Sequence, residues 1–161
     1  MEMTLSETPG SLKRFRQTPW RYQQTFRTPL KNLQPFVAGI LSCIQPIQKA
    51  IVTFDKVIFE PRNLNALIAR KSIAAKSRDS SPYLHDWSLS CGGEDAAELL
   101  TVALQDWLDF LFVPTPKPFV IFADHDEYST FFAVTKSHLN RVVSTLADGG
   151  FRLVHEYQRQ I

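Results

Sequence analysis

Two shortages in the sequence, of cysteine and of long apolar runs, narrow the kind of protein it encodes. Cys43 and Cys91 are the two cysteines, so no disulfide framework exists and at most one bridge could form. No stretch approaches the roughly 18 to 20 continuous apolar residues of a membrane helix. The apolar run 36–44 is too short and begins too late for a signal peptide. We therefore expect a protein of a reducing compartment, the cytoplasm, with no membrane partner.

The common catalytic and cofactor-binding motifs are also missing. The sequence has no phosphate-binding P-loop, no GxGxxG dinucleotide fingerprint and no GxSxG nucleophile elbow. It has no CxxC pair, and no two histidines have the i, i+4 spacing of a zinc protease. Cys91 belongs to no nucleophile motif, so an inert thiol is expected despite the nearby His85. These absences favour a protein that is not an enzyme and predict no cofactor.

What the sequence does contain is the composition of one globular domain. The chain has 161 residues, of which 44% are hydrophobic and 21% charged, and these fractions are ordinary for folded proteins. Twelve Phe, three Trp and four Tyr residues supply large apolar side chains. Because aromatic rings dominate core energetics, most of them are expected inside.

The hydrophobic pattern predicts a single α+β domain of about four mainly antiparallel strands, with helices packed on one face. Apolar or alternating runs predict strands over residues 50–59, 118–123, 128–134 and 151–158. Helical spacing predicts helices over residues 33–44, about 63–76, 94–112 and 136–147. Of these helices, 94–112 has the clearest apolar stripe, whereas residues 77–93 have the composition of a loop.

Residues 1–30 are predicted to form an irregular basic and aromatic arm, followed by the single domain over residues 31–161. Prolines recur in the arm, and each biases the residue before it towards extended backbone. Aromatic rings alternate with arginines there, which is one footprint of single-stranded nucleic acid binding. The same composition suits an arm that buries its rings on the domain, and that interpretation is favoured. Nucleic acid is expected as a partner only through this arm.

Charge is segregated along the chain. Basic side chains dominate residues 1–78, whereas residues 79–127 carry ten carboxylates against Lys117 alone. If exposed, such a surface would attract a basic protein and give fast, salt-sensitive association. The alternative is that acidic and basic parts pack together and neutralise each other.

From this pattern we predict a protein-binding module without enzymatic activity. Its concrete form would be a bacterial immunity or antitoxin protein that neutralises a basic toxin, perhaps a nuclease, through the acidic surface. The predicted partner-binding residues are Asp86, Glu94, Glu98, Asp109, Asp124, His125, Asp126 and Glu127.

The segment Asp124-His125-Asp126 also suggests an alternative function, a small metal-dependent hydrolase. Carboxylates beside a histidine can bind a metal or transfer protons. In an extended strand, however, adjacent side chains point to opposite sides, so the segment could face one ion only if the chain turns there. His155 could join it if the two strands pair. Three interpretations therefore stay open: a solvated turn, a partner-binding tip, and a catalytic or metal site.

Overall fold

A computed structural model of the chain describes residues 2–8, 10–71 and 87–161. In these residues the strands form one eight-stranded sheet in the order β1-β4-β3-β5-β6-β7-β2-β8, and every neighbouring pair is antiparallel. The strands are β1 (Thr4–Glu7), β2 (Tyr22–Arg27), β3 (Lys49–Lys56), β4 (Trp87–Gly92), β5 (Asp109–Thr115), β6 (Val120–Ala123), β7 (Tyr128–Ala133) and β8 (Leu153–Val154). The α+β class is confirmed, but the expected number of four strands is wrong.

Five α-helices occur in the described ranges, together with a short 3-10 turn at Gly93–Asp95. The helices are α1 (Ser11–Gln17), α2 (Leu33–Ser42), α3 (Arg62–Lys71), α4 (Ala96–Gln105) and α5 (Lys136–Asp148). Helices α2 to α5 share the main core with one face of the sheet, which β3 lines with Ala50, Val52 and Phe54. Because strand side chains alternate between faces, the second face needs a separate cover.

Helix α1 supplies part of that cover, which corrects the expectation that all helices pack on one face. Leu12 and Phe15 of α1 are buried against the second face. The ring of Phe15 stacks on Phe122, with 5.8 Å between the ring centroids. The strand residues under α1 are Leu111, Val120, Phe122 and Phe132.

The irregular N-terminal arm is a second wrong expectation, because residues 4–27 supply two strands and a helix. Strand β1 pairs with β4, and β2 lies between β7 and β8. Pro19 lies between α1 and β2, and Pro29 follows β2. These prolines therefore separate regular elements instead of preventing them, which is compatible with their effect on the preceding residue.

The predicted helix 94–112 is also wrong in its second half, because α4 ends at Gln105 and β5 begins at Asp109. Trp107 takes a left-handed backbone with φ 56°. The N–H groups of Trp107 and Leu108 donate to the carbonyls of Leu104 and Ala103, both at 3.3 Å, the pattern of a Schellman cap. Glycine normally occupies this left-handed position, so a tryptophan gave no stop signal in the sequence.

Two further segments differ from the prediction. Residues 87–92 were expected in a loop but form β4, which lies between β1 and β3 and turns Trp87, Leu89 and Cys91 into the core. The rest of that expected loop, up to residue 86, together with the end of the helix predicted over about 63–76, falls outside the described residues. The last predicted strand, 151–158, is shorter than expected, since β8 contains Leu153 and Val154 alone.

Asp106, one residue beyond α4, fixes the start of α3. Its carboxylate accepts hydrogen bonds from the backbone N–H of Asn63 (3.2 Å) and of Leu64 (2.7 Å), and from Asn63 Nδ2 (2.7 Å). The first N–H groups of a helix have no partner within it, so this buried carboxylate caps α3 from another element. Asn63 is therefore a donor to Asp106.

We expect Asp106→Ala to lower the free energy of unfolding by about 2 to 3 kcal/mol, because it leaves buried donors without an acceptor. Urea unfolding followed by circular dichroism measures this loss. Asp148→Ala is the matched control, since Asp148 is an exposed aspartate at the end of α5 and its removal should change stability by less than about 0.5 kcal/mol. Equal effects of the two substitutions would show that Asp106 is not a cap.

Candidate functional site

One end of the sheet gathers several of the predicted site residues. Strand β5 begins there at Asp109, opposite Lys56 at the end of β3. The residues 124–127 connect β6 to β7 at the same end, and Arg27 ends β2 opposite Tyr128. We call Lys56, Asp109, residues 124–127 and Arg27 the charged end of the sheet.

Residues 124–127 form a tight turn, not an extended segment. The Asp124 N–H donates to the Tyr128 carbonyl (3.2 Å), and the Asp126 N–H donates to Asp124 Oδ1 (3.0 Å). Glu127 has a left-handed backbone with φ 69°, which reverses the chain. The turn meets the condition under which these side chains could face one ion, but they contact different partners instead.

His125 is held by Asp109, a buried carboxylate. Asp109 Oδ1 accepts from the His125 backbone N–H (2.9 Å) and lies 2.8 Å from Nδ1. An ionised carboxylate can only accept, so Nδ1 carries the hydrogen in that state. The hydrogen bond that the His125 ring donates to Asp109 is the main cause that raises the pKa of His125 above 6.5; burial opposes it, and the charges of Asp109, Asp126 and Asp124 add to it. Nε2 lies 3.7 Å from Asp126 and is the nitrogen available for proton transfer.

Asp124 is occupied within the fold. It forms an ion pair with Arg159, and both side chains are almost fully buried. The Arg159 guanidinium also donates to Thr130 Oγ1 (2.9 Å) and to the Tyr128 carbonyl (3.3 Å), and lies 5.1 Å from the centre of the Phe122 ring. Asp124 therefore anchors the C-terminal segment and is not presented to a partner.

The remaining predicted acidic residues do not form one continuous surface. Glu127 pairs with Arg27 at 2.7 Å, and Glu98 pairs with Arg70. Glu94, which is exposed, and Glu98 lie at the start of α4, so a helix about 15 Å long separates them from the charged end. Asp86 falls outside the described residues. Where it can be examined, the acidic stretch largely follows the alternative that the chain neutralises its own charges.

The described residues contain no cluster of side chains that would support the predicted metal site. Among residues 2–8, 10–71 and 87–161, no group of three or more His, Cys, Asp or Glu side chains could hold a metal ion. His155 follows β8, and strands β7 and β2 lie between β8 and the turn that carries His125. The two histidines are therefore not brought together.

The aromatic rings of the N-terminal region are packed into the domain. Phe15 and Phe26 are buried, and Trp20 donates its indole N–H to the Phe15 carbonyl at 3.0 Å while its ring lies 5.9 Å from Phe132. Arg16 pairs with Asp55 at 2.8 Å. Base stacking needs exposed rings, so this arrangement favours packing over nucleic acid binding.

Both thiols are free and buried. Burial, followed by the charges of Asp95 and Glu94, raises the pKa of Cys91 to about 11. Cys91 is therefore protonated at neutral pH, which agrees with an inert thiol. His85, its suggested neighbour, lies outside the described residues.

The sequence did not predict an exposed aromatic group beside the charged end. Ile58 and Phe59 follow β3 and are 50% and 54% exposed. The Phe59 ring meets the half-buried Trp107 edge-on, with 6.3 Å between centroids. Trp107 in turn lines a small cavity with Asp124 and Glu127. We call Ile58, Phe59 and Trp107 the aromatic patch. The sequence feature that could have indicated it is the apolar pair Ile58-Phe59 directly before Glu60-Pro61, which the hydrophobic pattern assigned to a strand.

No family model, curated protein or solved structure matches this chain. Across the parts of the chain that the structure describes, no helix has the length and apolar character needed to cross a bilayer. The charged end and the aromatic patch are therefore the features that bear on function.

We expect His125 to stabilise the fold at acidic pH. Its pKa is raised in the folded protein, so its contribution is complete below the unfolded value of 6.5 and is lost as pH rises through the folded pKa. His125→Gln should therefore lower the free energy of unfolding more at pH 5.5 than at pH 8. NMR titration of the His125 ring protons measures the pKa directly.

Two substitutions separate the causes of that shift. Asp109→Asn removes the largest one and should lower the pKa of His125 more than Asp126→Asn, which removes a weaker charge. A His125 that titrates at or below 6.5 in the unsubstituted protein would contradict the assigned pairing.

Proposed function

We propose that this chain is a non-enzymatic protein-binding module that docks a basic protein on the aromatic patch and the adjoining charged end. The observation that carries the proposal is the exposure of neighbouring apolar side chains at Ile58 and Phe59, beside Trp107. Aromatic side chains that become buried on association supply most of the binding energy in many interfaces. Clustered exposed apolar residues mark such surfaces, whereas single ones are normal.

The backbone of Trp107 supports this role. A bulky residue with positive φ is an outlier whose strain is of order 1 kcal/mol or more. Glycine would form the same helix cap without strain. The position therefore supplies an indole ring beside Phe59, and strained residues of this kind cluster at functional sites.

Acidic side chains around the patch favour a basic partner. Asp126 is 64% exposed, and its contact with His125 at 3.7 Å is long. Glu60 follows Phe59 and forms a loose, fully solvated pair with Arg62 at 3.5 Å. Exposed pairs of this kind contribute little, so a cation of the partner can replace the internal one. A toxin neutralised by an immunity or antitoxin protein is one partner with this chemistry.

The arrangement gives less support to catalysis. His125 and Asp109 form the orienting half of an acid–base site. His125, however, lines neither of the two cavities that adjoin Arg27. The metal-dependent alternative also has no ligand cluster in the described ranges. More of the observed features therefore support protein docking than support hydrolysis.

The test is capture of a partner from the native host, followed by calorimetry with the purified partner. Phe59→Ala and Trp107→Gly should each weaken binding at least tenfold, because each removes an aromatic anchor. Trp107→Gly is especially informative, since glycine keeps the helix cap and removes the strain of the positive φ, which offsets part of the packing lost with the half-buried ring. Asp126→Asn should slow association and reduce its salt dependence.

Val134→Ser is the matched control. Val134 is 58% exposed and follows β7 at the end of that strand opposite the turn 124–127, so its loss should leave affinity unchanged. Unchanged affinity in both Phe59→Ala and Trp107→Gly would refute the docking surface. Binding that is equally tight at low and high salt would refute the basic character of the partner.

A further inference from the structure

A cavity of about 510 Å³ lies between the loop that joins β2 to α2 and the loop that joins α5 to β8. This volume is within the range of small-molecule sites. We propose that the cavity binds a small organic anion, a carboxylate or phosphate attached to an apolar or aromatic body. The proposal goes beyond protein docking and does not depend on it. The cavity is lined by Arg27, Thr28, Pro29, Leu30, Lys31, Asn32, Glu127, Gly149, Gly150, Phe151 and Arg152.

The first argument is the position of two arginines. Strand β2 pairs with β8 through Phe26 and Leu153, and the Arg27 N–H donates to the Arg152 carbonyl at 2.9 Å. Continuing this register places Arg27 and Arg152 directly opposite each other, with their side chains on the face of the sheet away from the main core that holds Phe26. Like charges in this position destabilise a strand pair, so the pair calls for a counter-charge.

The protein supplies part of that counter-charge. Glu127 pairs with Arg27 at 2.7 Å. Lys31 adds a third cation to the lining, and no carboxylate of the described ranges forms an ion pair with Lys31 or Arg152. Three of the lining residues are therefore cationic against one carboxylate, a balance that favours an anion of one or two charges.

The second argument is the apolar wall. Pro29, Leu30 and Phe151 also line the cavity, on the side where Leu30 and Phe151 pack against the main core. Phe151 is fixed by an edge-on contact with Phe36, with 5.2 Å between the centroids. A free inorganic ion would leave this wall uncovered, whereas a ligand with an attached ring would cover it.

The cavity is held in shape before any ligand binds. The Thr28 N–H donates to the Glu127 carbonyl at 2.7 Å, which joins the loop after β2 to the turn 124–127. The N–H groups of Gly150 and Phe151 donate to the carbonyls of Ala147 and Leu146 at 3.0 and 3.1 Å. A preformed site avoids the entropic loss of ordering loops on binding.

The carboxylate or phosphate of the ligand is placed in this cavity and not in the adjoining one. Arg27 and Arg152 also line an adjoining cavity of about 300 Å³. Glu156 lines that second cavity and would repel an anion. The second cavity also lacks Leu30 and Phe151 among its lining residues. The cations and the apolar wall occur together in the larger cavity alone.

Calorimetric titration of the full chain with phenyl phosphate tests the proposal, with benzoate and inorganic phosphate as parallel probes. At least one aromatic anion should bind at least tenfold more tightly than inorganic phosphate. Arg152→Ala should weaken that binding at least tenfold, and Phe151→Ala should reduce the advantage over inorganic phosphate. Arg62→Ala is the matched control, because Arg62 is an exposed arginine outside the cavity lining and its loss should leave binding unchanged.

Three results would overturn the proposal. One is the absence of detectable binding of both aromatic probes at millimolar concentration. Another is binding that neither Arg27→Ala nor Arg152→Ala weakens in protein shown to be folded by circular dichroism. The third is inorganic phosphate binding as tightly as the aromatic probes, which would remove the role of the apolar wall.

Discussion

The buried ion pair between Arg159 and Asp124 joins the C-terminal segment to the turn 124–127, which adjoins both the aromatic patch and the cavity at Arg27. A wide antiparallel sheet needs cover, or a polar surface, on both faces. Helices α2 to α5 cover one face, whereas the other is covered by α1 and by the C-terminal segment that carries Arg159. Arg159 reaches Asp124 in the turn and Thr130 in β7, and its backbone exchanges hydrogen bonds with Gln23 in β2. Through its side chain and its backbone, Arg159 thereby connects the C-terminal segment to the turn, to β7 and to β2.

This internal use of charge determines which features are left for recognition. Asp124 pairs with Arg159, Asp109 with His125, and Glu127 with Arg27. These acidic residues therefore serve mainly to position the turn. Besides the exposed Asp126, two features of other kinds are accessible. One is the aromatic patch next to the turn, and the other is the cationic cavity on the far side of Glu127. Both adjoin the turn, because Glu127 lines a small cavity together with Trp107 and forms an ion pair with Arg27.

The sequence predicted what local patterns encode and missed what distant partners decide. Strands β3, β6 and β7 and helices α2 and α5 were predicted near their observed bounds because each has an apolar run or stripe of its own. Strand β4 was missed although Trp87, Leu89 and Cys91 alternate with serines, because the loop-like composition before it and Gly92-Gly93 at its end were given more weight. Strand β5 was missed because the cap before it is a tryptophan. The acidic run was visible in the sequence. The cations that neutralise it, such as Arg159, are distant in the sequence and become its partners only through the order of the strands in the fold.

A double-mutant cycle on Asp124→Asn and Arg159→Met tests the central claim most directly, since asparagine keeps the turn oxygen and methionine keeps much of the apolar volume. Breaking a buried pair on one side costs about 3 to 5 kcal/mol, because the other charge is left buried and unpaired. The account predicts that each single substitution lowers the free energy of unfolding by an amount of this order, and that the double variant loses much less than their sum. Strictly additive and small losses would contradict it.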